Sequence, residues 1–75
     1  GVLPLNESNV MITVENNKIQ LSEEVRSLEL FNVSGQKITS AKNISFVAAP
    51  STKGIYIVNI SDQEGNRKIQ KVAVN

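Results

Sequence analysis

The sequence predicts a single small all-β domain of about seven short strands, an antiparallel sandwich or a partly open barrel, with the sandwich preferred. Two observations carry this reading. Apolar residues recur at every second position, not at the ~3.6-residue spacing of a helix. Asn, Asp, Gly and Pro interrupt that alternation at short intervals, where turns need them.

Residues 1–9 read as an irregular or linking segment, and residues 10–75 as the sandwich. Val10, Ile12 and Val14 alternate with Met11 and Thr13 until Glu15-Asn16-Asn17 breaks the run. Lys18-Ile19-Gln20-Leu21 resumes it, so residues 10–21 form a hairpin. Asn16 and Asn17 suit its tip, because Asn tolerates the left-handed conformation of tight hairpin turns. Ser22-Glu23-Glu24 is a polar connection. Val25 to Val33 follows, with Leu28 and Leu30 on one face and Glu29, Phe31 and Val33 on the other. Such a strand is apolar on both sides near its end, or holds a bulge that swings Val33 inward.

Ser34-Gly35 is the clearest turn, since Gly reaches positive φ without steric cost. Gln36 to Ala41 returns as the partner strand, and Ile44 to Val47 forms another short one. Ala48 to Thr52 closes it, with Pro50 lacking the donor a strand requires. Lys53-Gly54 launches the strongest strand, Ile55 to Ile60, whose apolar content predicts a central position covered on both faces. Asp62 to Asn66 turns the chain into a last strand, Arg67 to Val74. No internal repeat or low-complexity stretch is visible.

A chain of 75 residues buries only about 60% of the surface its unfolded form exposes. It contains no cysteine, so disulfides and thiolate metal sites are excluded. It contains no histidine either, which removes the commonest general base and metal ligand. Ser-His-Asp and Cys-His arrangements are therefore impossible. Glu23, Glu24, Asp62 and Glu64 fall in predicted turns, where carboxylates are solvated, and a calcium site needs about six to eight converging oxygens. The isolated glycines make no phosphate-cradling loop. These features predict a protein that is no enzyme and takes no cofactor.

The net charge of +1 and the scattered lysines predict no nucleic-acid partner. The densest basic group, Arg67, Lys68 and Lys71, reads as a solvated face of the last strand. No apolar run approaches the ~20 residues that span a bilayer, and Gly1-Val2-Leu3-Pro4 is no signal peptide. Gly1 fits a cloning remnant or the start of a fragment. Phe31, Phe46 and Tyr56 lie in apolar strands and are expected in the core, which leaves no exposed ring for stacking a sugar. The Asn-x-Ser triplets at Asn6, Asn32, Asn43 and Asn59 read as coincidence in an Asn- and Ser-rich chain.

Three segments taken together carry a resemblance. Val25 to Ile38 is an apolar strand followed by an aromatic, an Asn, a turn Gly, a basic residue and a second strand. Thr52-Lys53-Gly54-Ile55-Tyr56-Ile57-Val58-Asn59-Ile60 holds a Lys-Gly-Ile-Tyr motif, and Arg67 to Asn75 is a basic-then-apolar ending. In order and spacing these resemble the C-terminal sorting domains of type IX secretion in Bacteroidetes. The family's Pro-Asn-Pro opening has no counterpart in residues 1–10 beyond Pro4.

The resemblance implies an immunoglobulin-like sandwich at the end of a larger protein, with Asn75 suiting a natural C-terminus. It implies delivery of N-terminal cargo domains of the same chain through the periplasm and a translocon to the cell surface or beyond. A sortase-like peptidase that often removes the domain is a second implied partner. Carried over position by position, the recognition elements would be Lys53, Gly54 and Tyr56 with the terminal residues Lys71, Val72, Ala73, Val74 and Asn75.

Physical reading of those positions leaves alternatives open. Gly54 fits either an unusual φ or a close backbone approach. Tyr56 is expected in the core with its hydroxyl at the rim. The last strand either offers an edge for strand addition or completes the sandwich, and an open edge would also permit self-association. The competing function is a structural or adhesive accessory domain of a surface protein.

Overall fold

Asn16 and Asn17 adopt positive φ, 52° and 61°, and fold the chain back so that Glu15 faces Lys18. This is the two-residue hairpin turn expected of an Asn pair, and it pairs β1 (Ile12–Glu15) with β2 (Lys18–Asn32). The computed structural model describes residues 7–75. Three further strands follow: β3 (Lys37–Ala48), β4 (Gly54–Ser61) and β5 (Arg67–Val74). All strand pairings are antiparallel.

β2 organises the sheet. β3 runs along one of its edges, while β1 and then β4 share the other, and β5 lies beyond β4. Between Gln20 and Val25, β2 advances five residues while β3 moves two, from Phe46 to Ile44. That bulge bends β2, and Asn43, at φ 56°, kinks β3 beside it. Ile19 and Leu21 before it and Val25, Leu28 and Leu30 after it are all buried, the inward set passing from odd to even positions between Val25 and Leu28 beside the Asn43 kink.

The sheet curls until its two ends meet. Ser8 N–H donates to the Arg67 carbonyl at 2.9 Å. Lys68 Nζ and Gln70 Nε2 then donate to the carbonyls of Val10 and Ile12, at 2.9 and 3.2 Å. The enclosed core comprises Val10, Ile12, the inward residues of β2, Tyr56, Val58 and Ile60 of β4, and Val72 and Val74 of β5.

The all-β antiparallel expectation holds, but the strand count does not. Among the described residues five strands replace seven, because Ser22-Glu23-Glu24 continues β2 through the bulge and residues 36–41 and 44–47 fall within one kinked β3. The described residues form one curled sheet, not two packed layers. A short polar connection and a bulge within a strand have the same composition, so only the pairing distinguishes them. Of the expected segment 1–9, residues 1–6 lie outside the described residues, while Glu7 and Ser8 join Arg67.

Four burial expectations also change. Phe31, expected in the core, is half-buried on the outward face of β2, beside Ile57. Val33 projects from the turn at 73% exposure: the register does shift between Leu30 and Phe31, but the extra residue, Ile38, is on β3 and does not carry Val33 inward. Phe46 is 51% exposed, and its ring lies 4.8 Å from Lys18 Nζ, a cation–π contact on the surface. β4 is central, yet its two faces are unequally covered: Tyr56, Val58 and Ile60 are buried, Ile57 and Asn59 are half-buried and Ile55 is 46% exposed.

The turns after β2 and β4 share one design. Asn32 Oδ1 accepts from the backbone N–H groups of Ser34 and Gln36 at 3.1 and 2.9 Å, while Gly35 N–H bonds the Asn32 carbonyl. Asp62 Oδ1 likewise accepts from Glu64 and Asn66 N–H at 3.0 and 2.8 Å, and Gly65 N–H bonds the Asp62 carbonyl. Gly35 and Gly65 both sit near φ 88°. An Asx side chain thus satisfies the turn donors and a Gly three residues on supplies the left-handed step.

Candidate recognition site

The residues singled out around Gly54 and at the end of the chain meet on the β4–β5 ladder. Gly54 pairs with Val74, Ile55 with Ala73, Tyr56 with Val72 and Ile57 with Lys71. Segments far apart in the sequence therefore form one two-stranded unit. The alternation of side chains divides that unit in two. Tyr56, Val72 and Val74 are in the core, whereas Lys53, Lys71, Ala73 and Asn75 are exposed.

Each inward residue has a structural task. The Tyr56 ring packs opposite Val72, and its hydroxyl donates to the Thr52 carbonyl at 2.7 Å. That bond ties the connection before β4 to the sheet. Gly54 stands at φ 152°, and a Cβ built there would meet nothing within 4 Å. Backbone conformation, not close approach, is what requires glycine at this position. Gly54→Ala is therefore expected to destabilise the chain by about 1–3 kcal/mol through strain alone. Urea unfolding followed by circular dichroism measures it, and an unchanged midpoint would refute the assignment.

Beside the end of β5 lies a shallow notch of about 230 Å³, lined in part by Val14, Asn16, Asn17, Ala49, Val74 and Asn75. The carbonyl of Asn17 is already occupied there by Ala49 N–H, at 2.9 Å. Glu15 is the one side chain with a titratable group among the residues that line it. Among the described residues no three His, Cys, Asp or Glu side chains cluster as metal ligands.

The buried carboxylate is Asp62, 6% exposed, a residue that sequence reasoning placed in a solvated turn. Besides its turn bonds, its Oδ2 accepts from the Ser8 hydroxyl at 2.7 Å. The Ser8 bond, aided by the N–H donors of the turn, holds the Asp62 carboxyl below its ordinary value against an opposing desolvation. A carboxylate so lowered stabilises the fold above the unfolded aspartate range, near pH 4, and loses that contribution as pH falls through the folded value. Asp62→Asn is expected to melt lower at neutral pH and to show a flatter decline of Tm below about pH 4. Parallel acid titrations of Tm would refute this role. The repeated Asx-x-x-Gly spacing, from Asn32 and from Asp62, is the signal that could have identified the side-chain role of these two residues within turns already expected.

A family described as the secretion system C-terminal sorting domain matches residues 6–75. No curated protein matches the chain.

Proposed function

Because the chain belongs to the family of secretion system C-terminal sorting domains, we propose that it acts as a non-catalytic signal delivering an attached protein by type IX secretion. The observation that carries the reading is the extent of the family match, residues 6–75, which takes in every strand. The joined β4–β5 segments support it further: Lys53 and Gly54, and Lys71 to Asn75, fall at one end of one ladder.

In this reading the cargo lies on the N-terminal side of the same polypeptide. The partners are the outer-membrane translocon and a sortase-like peptidase, and the destination is the cell surface or the medium. Lys53, Gly54, Tyr56, Lys71, Val72, Ala73, Val74 and Asn75 are the proposed recognition region. Tyr56, Val72 and Val74 contribute by holding the ladder in shape, and the exposed residues by contact.

A reporter placed between a signal peptide and this chain tests the reading in a host with the secretion system. Removing Lys71 to Asn75 is expected to abolish its appearance outside the cell. Undiminished delivery without those residues would overturn the proposal.

A further inference from the structure

Residues paired directly across a ladder share a face, so the register sorts every outward side chain. Phe31, Ile57 and Lys71 form one outward row, and Glu29, Asn59 and Ile69 the next. Ile55 and Ala73 continue the same face toward the end of the ladder. An apolar strip results, made of Phe31, Ile55, Ile57, Ile69 and Ala73. Ile69 is 70% exposed and Ile55 46%. Phe31 and Ile57 are half-buried, whereas Ile55, Ile69 and Ala73 leave apolar surface open around them, as a contact surface does.

Charge on that face is one-sided. Lys37, Lys42, Arg67 and Lys71 point outward against a single carboxylate, Glu29. Glu29 is already engaged, bonded to Lys37 Nζ at 3.0 Å. Lys42, Arg67 and Lys71 have no carboxylate partner among the described residues. The rest of the chain has the opposite balance, with four cations, Lys18, Arg26, Lys53 and Lys68, against six carboxylates. A protein of net charge +1 thus concentrates its positive charge around its exposed apolar strip.

We infer that this outward face of β2, β4 and β5 docks a folded protein surface that presents an apolar strip bordered by carboxylates. The inference rests on the sorting reading and assigns the contact to one face of the sheet. Apolar burial supplies the affinity, while the bordering cations steer the encounter and set the orientation. The apolar strip between the cations decides for a protein: a polyanion such as lipopolysaccharide would require contiguous positive charge there.

The test uses the reporter fusion with the double variant Ile69→Glu/Lys71→Glu, and with Met11→Glu, at a 63% exposed position away from this face, as the control. External reporter should fall about tenfold or more for the double variant and stay level for the control. Tm of the purified chains should move by only a few degrees, as for surface substitutions. Delivery of the double variant at the level of the unaltered chain overturns the inference and leaves the sorting reading intact. Failure of the unaltered fusion overturns both. Binding of the purified chain to lipopolysaccharide vesicles, lost in Lys71→Glu, would also overturn it by making the partner a polyanion.

Discussion

Leu28→Ala is expected to bring the chain close to unfolding at 37 °C. Leu28 is fully buried in the middle of β2, with Ala41 of β3 opposite on one side and Ile60 of β4 on the other. Truncating a buried leucine costs about 2–5 kcal/mol, from lost transfer energy and the cavity left behind. At the usual 0.05–0.15 kcal/mol per residue, a chain this size holds only roughly 4–11 kcal/mol in total. No disulfide exists to offset the loss. Neighbouring β2 supports every other element except β5, so collapse around the cavity would disturb three pairings at once. Thermal melting should show a fall of about 10 °C or more. A fall of only a degree or two would mean that Leu28 does not anchor the core.

The second large effect separates two adjacent residues. Val72→Asp places a carboxylate in the core opposite the Tyr56 ring, with no partner for its charge, and should cost more than about 3 kcal/mol. Ala73→Asp, one position on, points outward beside Ile55 and should cost at most about 1 kcal/mol, the span of strand propensities. Urea midpoints of the two variants measure the contrast. Equal losses would contradict the alternation that divides the β4–β5 ladder into a packed and a displayed side. The contrast also bears on the shortened chain: removing Lys71 to Asn75 takes Val72 and Val74 from the core along with the exposed residues. Point variants on the outer face are therefore needed to separate recognition from folding.

Much of the fold was legible because local chemistry agreed with tertiary structure. The Asn16-Asn17 hairpin, the Gly35 turn and the β4–β5 hairpin around Gly65 all lie where turn chemistry placed them. The paired motifs around Gly54 and Val74 were both recognised in the sequence, but their contact was not, since register between strands leaves no local mark. The bulge of β2 was missed because Ser22-Glu23-Glu24 reads as a connection on composition alone. Phe46 was misplaced for a related reason. Its strand is an edge strand, kinked at Asn43, and alternation predicts which side chains share a face without saying which face is covered. The role of Asp62 depended on Ser8, 54 positions away in the chain. Composition gave no reason to expect that bond.

The most direct test compares one fusion in two hosts. A periplasm-directed reporter carrying residues 1–75 at its C-terminal side is produced in a strain with a type IX translocon and in its translocon-deficient counterpart. The measured quantity is the fraction of reporter outside the cell. A sorting domain predicts external reporter in the first strain and periplasmic retention in the second. Equal fractions in the two strains, or retention in both, would contradict it.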